Sequence, residues 1–210
     1  MNDTNNNYHY NGVLKAITIS NNEAAYMIAR GQYHAAFQVL QGSLKEGCAS
    51  LALLVEGADS TQRCFDDNFC ACYIHPAKNV ASDLTTEHGD NYFLHPFTVS
   101  FGGYYNDHQA NNIEARLRFL TAVVLFNLAI TSHRQGLVVF TQGSSNASCY
   151  HRRTKNLYRY ALHYMDSLVA DRDTLDTDCH YVAQLIMTVC HNAAAMALHE
   201  GLLSEYDEWK

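Results

Sequence analysis

A mainly α-helical fold, built as an array of antiparallel helix pairs (an α-solenoid) with a small β-hairpin insertion, is what this sequence predicts. Three observations lead there. An Asn is followed nine residues later by a Gly at Asn22 and Gly31, at Asn127 and Gly136, and at Asn192 and Gly201, with Ala24, Ala129 or Ala194 two positions after each Asn. Each of these stretches has apolar residues at helical spacing, clearest in FLTAVVLFNLAITSHRQG from Phe119 to Gly136. The chain has only 2 Pro, and its 48% apolar and 17% charged content is that of a globular, helix-permitting sequence.

After Gly31 come Tyr33, Ala36, Leu40 and Leu44, so the first unit reads as a helix A, a Gly turn, and a helix B with a small residue near its start. This unit resembles the tetratricopeptide repeat (TPR). Two helices approach closely only where small side chains meet, and Gly accepts the left-handed conformation that stops helix A. The Trp and terminal Pro of the full TPR pattern are missing, and Ala stands at the packing Gly. The chain therefore resembles degenerate TPR-like proteins, a group from single-celled algae, over about residues 18–48 and 110–205. The resemblance implies an interaction surface on the helix A faces. In TPR domains that clamp a terminal carboxylate, an Asn at this place bonds the peptide and Lys or Arg surround it. Here Arg134 is the one neighbouring cation, which speaks against such a clamp. Bonding backbone between adjacent helices is the other role open to Asn22, Asn127 and Asn192.

Residues 1–12 (MNDTNNNYHYNG) are polar and expected to be disordered, leaving 13–210 as a single domain. VLKAITI, 13–19, suits either strand or helix. The capping box Ser20-x-x-Glu23 starts a helix near Asn21, although a TPR helix A would begin a turn earlier. Helix B of the first unit is predicted from about Tyr33 to Glu46, with CASLALLVEG after Gly47 either extending it or forming a separate turn. Periodicity changes over about 57–106. Phe69–Pro76 and Tyr92–Val99 are short, aromatic and β-branched, and each contains a His-Pro that biases the His toward extended backbone, so the two are predicted to pair as an antiparallel hairpin joined by 77–90. Asn111-x-x-Glu114 caps the next helix, whose stripe is Ile113, Leu117, Leu120, Val124 and Leu128, with Arg116 and Arg118 off it; Gly136 is expected to end it. A late helix B carries Leu157, Ala161, Tyr164, Met165 and Leu168. Acidic DRDTLDTD, 171–178, leads into a last helix from about Cys179 to Glu200. The remnant to Lys210, with Tyr206 and Trp209, either folds back over the array's end or leaves it for another chain, so a homo-oligomer through an uncapped C-terminal end is a second partner expectation.

The net charge of −7 argues against a nucleic-acid footprint, although His151, Arg152, Arg153, Lys155 and Arg159 with Tyr150, Tyr158 and Tyr160 form a local basic, aromatic patch. No apolar run matches a membrane span, and the N-terminus lacks the pattern of a signal or transit peptide. The 7 Cys are scattered and odd in number, which suits reduced thiols in an intracellular, cytoplasmic protein; the sequons at Asn2 and Asn146 are then chance matches.

Candidate chemistry is sparse. Cys64, Cys70, Cys72 and His75, with His95 on the second strand, could ligate a metal. Their spacing matches no common zinc motif, and as buried small apolar side chains the thiols need no metal. The aspartates of 171–178 lack the Gly and distal Glu of a calcium loop. His199-Glu200 lacks the second His of a metalloprotease helix. The sequence thus predicts no cofactor and no catalytic group. It predicts a protein–protein interaction adaptor or scaffold that binds a peptide or helix in a concave groove walled by Val123, Phe126, Asn127, Ile130, His133 and Arg134, with His191, Ala195 and His199 beside it. The alternative is a metal-binding or catalytic protein using the Cys/His hairpin.

Overall fold

A computed structural model describes residues 3–57, 72–77, 93–101, 113–141, 147–169 and 180–210. The chain is mainly helical, with one two-stranded sheet. In order it forms α1 (Asp3–Ala29), α2 (Tyr33–Gly57), β1 (Cys72–Pro76), β2 (Phe97–Phe101), α3 (Ile113–Thr141), α4 (Ala147–Val169), α5 (His180–His199) and α6 (Leu203–Trp209). Each helix packs on the next in sequence, and α1 and α5 also touch α3. β2 lies against α1 and α3, and β1 reaches α5. The hairpin thus crosses the first, third and fifth helices.

Gly31 and Gly201 stop α1 and α5 as expected, at φ 76° and 72°. Both ends close identically: Gly31 N–H donates to the Ile28 carbonyl and Gln32 N–H to that of Met27, while Gly201 N–H donates to Leu198 and Leu202 N–H to Ala197. These paired bonds satisfy carbonyls that the helix end would otherwise strand. Gly136 does something else. α3 runs through it to Thr141, and a Cβ added there would lie 3.0 Å from the Tyr150 Cβ, so this Gly serves the close approach of α3 and α4.

One further expectation is corrected, and two points left open by the sequence are decided. The segment 1–12 is not disordered throughout: α1 begins at Asp3, and Tyr10, Val13, Leu14 and Ile17 pack into the core at helical spacing. That tertiary burial also decides 13–19 in favour of helix and overrides the start signal at Ser20. α2 continues past Gly47 to Gly57 because Ser50 and Leu51 are buried. Arg116 lies off the apolar stripe of α3 but is buried all the same, since α3 is covered on nearly every side.

The hairpin is antiparallel as predicted, with Ile74 opposite Val99 and Pro76 opposite Phe97; β2 is shorter than expected and shifted toward Phe101, and 69–71 lie outside the described residues. The predicted connection after Ala77, the cap Asn111 and the acidic loop 171–178 lie outside the described residues. At the C-terminus the chain folds back: α6 packs on α5 and Trp209 is buried. The α5 helix is, by length and composition, the one described helix long and apolar enough to cross a membrane, and half of that window is buried inside the fold. No continuous apolar run marks it in the sequence, because His180, Gln184, His191 and Asn192 interrupt the apolar residues.

Candidate functional site: an asparagine ladder on an extended segment

The three repeated asparagines meet one stretch of chain. Asn22 lies on α1, Asn127 on α3 and Asn192 on α5, the three helices the hairpin crosses. Asn22 Oδ1 accepts from Val99 N–H at 2.7 Å and its Nδ2 donates to the Val99 carbonyl at 2.8 Å. Asn127 makes the same pair with Phe97, both bonds 2.8 Å. Asn192 makes it with Phe93, at 2.6 and 2.8 Å. A carboxamide has one acceptor oxygen and two donor hydrogens, so it can satisfy both backbone groups of one residue, as a neighbouring strand would.

The parity of these contacts follows from strand geometry. In extended chain the N–H and C=O of alternate residues point to the same edge. Phe97 and Val99 on β2 share one parity and face the asparagines, and Phe93, ahead of the strand, meets Asn192 in the same way. Pro96 has the other parity, and its carbonyl accepts from Ala77 N–H at 2.9 Å on the β1 side. β2 therefore lies between a true strand and a row of side-chain amides.

Neighbouring groups hold the ladder. Asn127 Nδ2 also donates to Asn21 Oδ1 at 2.9 Å, and Asn21 Nδ2 donates to the Phe97 carbonyl at 3.1 Å. Asn192 Nδ2 reaches Tyr158 Oη at 3.3 Å. Arg134 Nε and Nη2 both donate to the Leu94 carbonyl, at 3.1 and 2.8 Å. Asn21, Asn127 and Asn192 are fully buried, where an amide without partners is costly. Between the polar contacts, the Phe97 ring lies 5.1 Å from that of Phe126 and 5.9 Å from that of Phe93.

Of the wall expected on α3, Phe126, Asn127 and Arg134 touch this segment. Val123, Ile130 and His133 are buried in the core. The wall is accordingly covered by the chain's own residues 93–99 and is not an open groove, which sequence reasoning missed. The signal was present: a hairpin with a two-residue apolar rhythm beside three helices that repeat Asn at one position. On α5, His191 and His199 are exposed and Ala195 is half-buried. His199 meets the Phe140 ring edge-on at 5.9 Å. His133 is held neutral, its pKa pushed down to about 3 by burial and then by the charges of His151, Arg134 and His199.

The basic patch does not form one surface. Tyr158 is core, and Arg153 lies over the Phe37 and Tyr150 rings. Arg152, Lys155 and Arg159 instead line a cleft of about 720 Å3 with Phe140, His151, Glu200 and Glu205. There Lys155 Nζ pairs with Glu200 at 3.0 Å and Glu205 at 2.9 Å, and His151 Nδ1 meets Glu200 at 2.6 Å. Burial alone would lower the Lys155 pKa, but hydrogen bonds and charge from Glu205 and Glu200 outweigh it and raise it. These carboxylates neutralise the cation that a nucleic-acid backbone would need.

Of the metal candidates, Cys64 and Cys70 lie outside the described residues, and Cys72 and His75 both fall on β1. His75 and His95 are exposed. Among the described residues no group of three or more His, Cys, Asp or Glu side chains is placed to hold a metal ion.

Compared with family models, with curated proteins and with solved structures, the chain finds no match.

Proposed function

We propose that this chain is a TPR-like helical-repeat module for protein–protein interaction, a scaffold whose α1, α3 and α5 face grips an extended polypeptide segment. One observation carries the proposal: three asparagines on α1, α3 and α5, each nine residues before a Gly, each bond both backbone groups of one residue in a single extended segment. Backbone bonding of this kind gives affinity independent of side chains, while pockets between the bonds give selectivity. The helix adjacency supports the repeat reading, since α1, α3 and α5 neighbour one another as the A helices of stacked pairs and α2 and α4 pack between them in sequence. The chaperone-tail form of TPR binding is not part of this proposal, because Arg134, the cation beside Asn127, is already bonded to the Leu94 carbonyl.

The test is an array of extended peptides probed with the purified protein, with Asn22→Ala in parallel. Asn22 is at the partly exposed end of the ladder, so its loss leaves most of the core intact. Peptides that bind the parent and lose at least fivefold in affinity with Asn22→Ala support the proposal. No binding to any peptide at millimolar concentration, either by the parent or by a Phe97→Ala variant whose covering segment has lost its anchor, overturns it.

A further inference from the structure

Resting on that proposal, we infer that the ligand is an extended segment of the pattern Leu-x-Pro-Phe-x-Val, and that residues 94–99 of the chain itself are its built-in competitor.

The pattern comes from what each position meets. Leu94, Phe97 and Val99 are 4%, 0% and 1% exposed, whereas His95 and Ser100 face solvent and Thr98 is intermediate. Three apolar anchors are therefore buried together with Pro96, while the side chain of His95 between them is turned to solvent. Phe97 is the central anchor, in ring contact with Phe126, which in turn lies 6.1 Å from Tyr158.

The ladder adds a backbone rule. It uses the N–H of residues 93, 97 and 99, so Pro is forbidden at 97 and 99 and permitted at 96, where Pro96 stands. Proline at that place also biases the preceding residue to extended backbone, which lowers the entropy lost on docking. Arg134 on the Leu94 carbonyl adds a contact between the Asn192 and Asn127 rungs. Chain direction is set as well: the N-terminal end of the segment lies at Asn192 and the C-terminal end at Asn22.

Because the occupant is covalently attached, it competes at an effective concentration on the order of millimolar. A free peptide with the same contacts gains little against the intact chain. It gains when the attached copy loses an anchor that the peptide still has.

The probe is a fluorescein-labelled peptide of residues 93–101, FLHPFTVSF, followed by anisotropy on the full chain and its Phe97→Ala variant. A scrambled peptide of the same composition is the control. The expected result is binding at least tenfold tighter to Phe97→Ala than to the parent, with a rise in melting temperature on peptide addition and neither effect from the scrambled peptide. If Phe97→Ala does not fold, Val99→Ala, a smaller truncation, takes its place. Equal binding of the scrambled peptide overturns the pattern and leaves the peptide-gripping face standing. Equal binding to parent and variant overturns the competition. No binding to any folded variant at 1 mM (about the effective concentration of a short tether) overturns both this inference and the proposed function.

Discussion

Asn127 and Phe97 are joined as two residues of adjacent strands would be, yet one of them is in the middle of a helix. The Asn127 amide takes the Phe97 N–H and gives a hydrogen to the Phe97 carbonyl, both at 2.8 Å, in a site with no solvent access. Replacing it with Ala takes the partner from the buried Phe97 N–H and from the buried Asn21 Oδ1, at about 1–3 kcal/mol each, while the Phe97 carbonyl keeps the Asn21 amide. Asn127→Ala should therefore lower stability by roughly 2–5 kcal/mol, and the Phe97 amide should exchange with deuterium far faster. Unchanged exchange at Phe97 would contradict the ladder. Asn22→Ala, at the rim, should cost less.

Leu128 and Ala129 test the packing of α3. Leu128 is 1% exposed and Ala129 fully buried. Leu128→Ala should cost about 2–5 kcal/mol as a core truncation. Ala129→Asp places a carboxylate in the same interior and should abolish cooperative unfolding. Denaturant melts that match the parent for both variants would sink the packing described.

The buried His133 should give the chain an acid limb. Unfolded, its imidazole takes a proton near 6.5; folded, only near 3. Between those values the unfolded state holds more protons, so stability is full above about pH 7 and falls as pH drops toward 3. At pH 5 the loss from this group should be about 2 kcal/mol. His133→Gln should flatten that part of the pH–stability profile, whatever it does to stability at pH 7.5.

Two helical glycines should respond with opposite signs. A Cβ at Gly42 meets nothing within 4 Å, so Gly42→Ala should stabilise by about 0.5–1 kcal/mol through helix propensity alone. At Gly136 the same methyl meets the Tyr150 Cβ at 3.0 Å, and the strain of parting α3 from α4 should offset that gain or exceed it. Thermal melts of the two variants make the comparison.

The helices and the hairpin were legible because their signals are local. Apolar spacing marked α3, α4 and α5, the two His-Pro stretches marked the strands, and Gly31 and Gly201 marked two helix ends. Gly136 misled because a mid-helix Gly and a terminal Gly look alike in sequence, and only the position of Tyr150 separates them. The first turns of α1 misled because polar residues 3–12 are helical through the burial of Tyr10, Val13, Leu14 and Ile17, a tertiary effect. The repeated asparagines stood out in the sequence, but they bond the hairpin segment and not the backbone of an adjacent helix. Their partner was hidden because it lies 77, 30 and 99 residues away in sequence, and no local pattern encodes which strand edge they meet.

That separation has a kinetic meaning. The strand is made early in synthesis, between the second and third helices, but one of its three rungs waits for Asn192, 99 residues later. Until α5 emerges, an aromatic and β-branched ribbon is anchored by two rungs at most, and such segments pair readily with strangers. Late loop closure over that distance should make docking of Phe93 one of the slowest events in folding, and a ribosome-bound chain halted before residue 180 should be the form most in need of a chaperone.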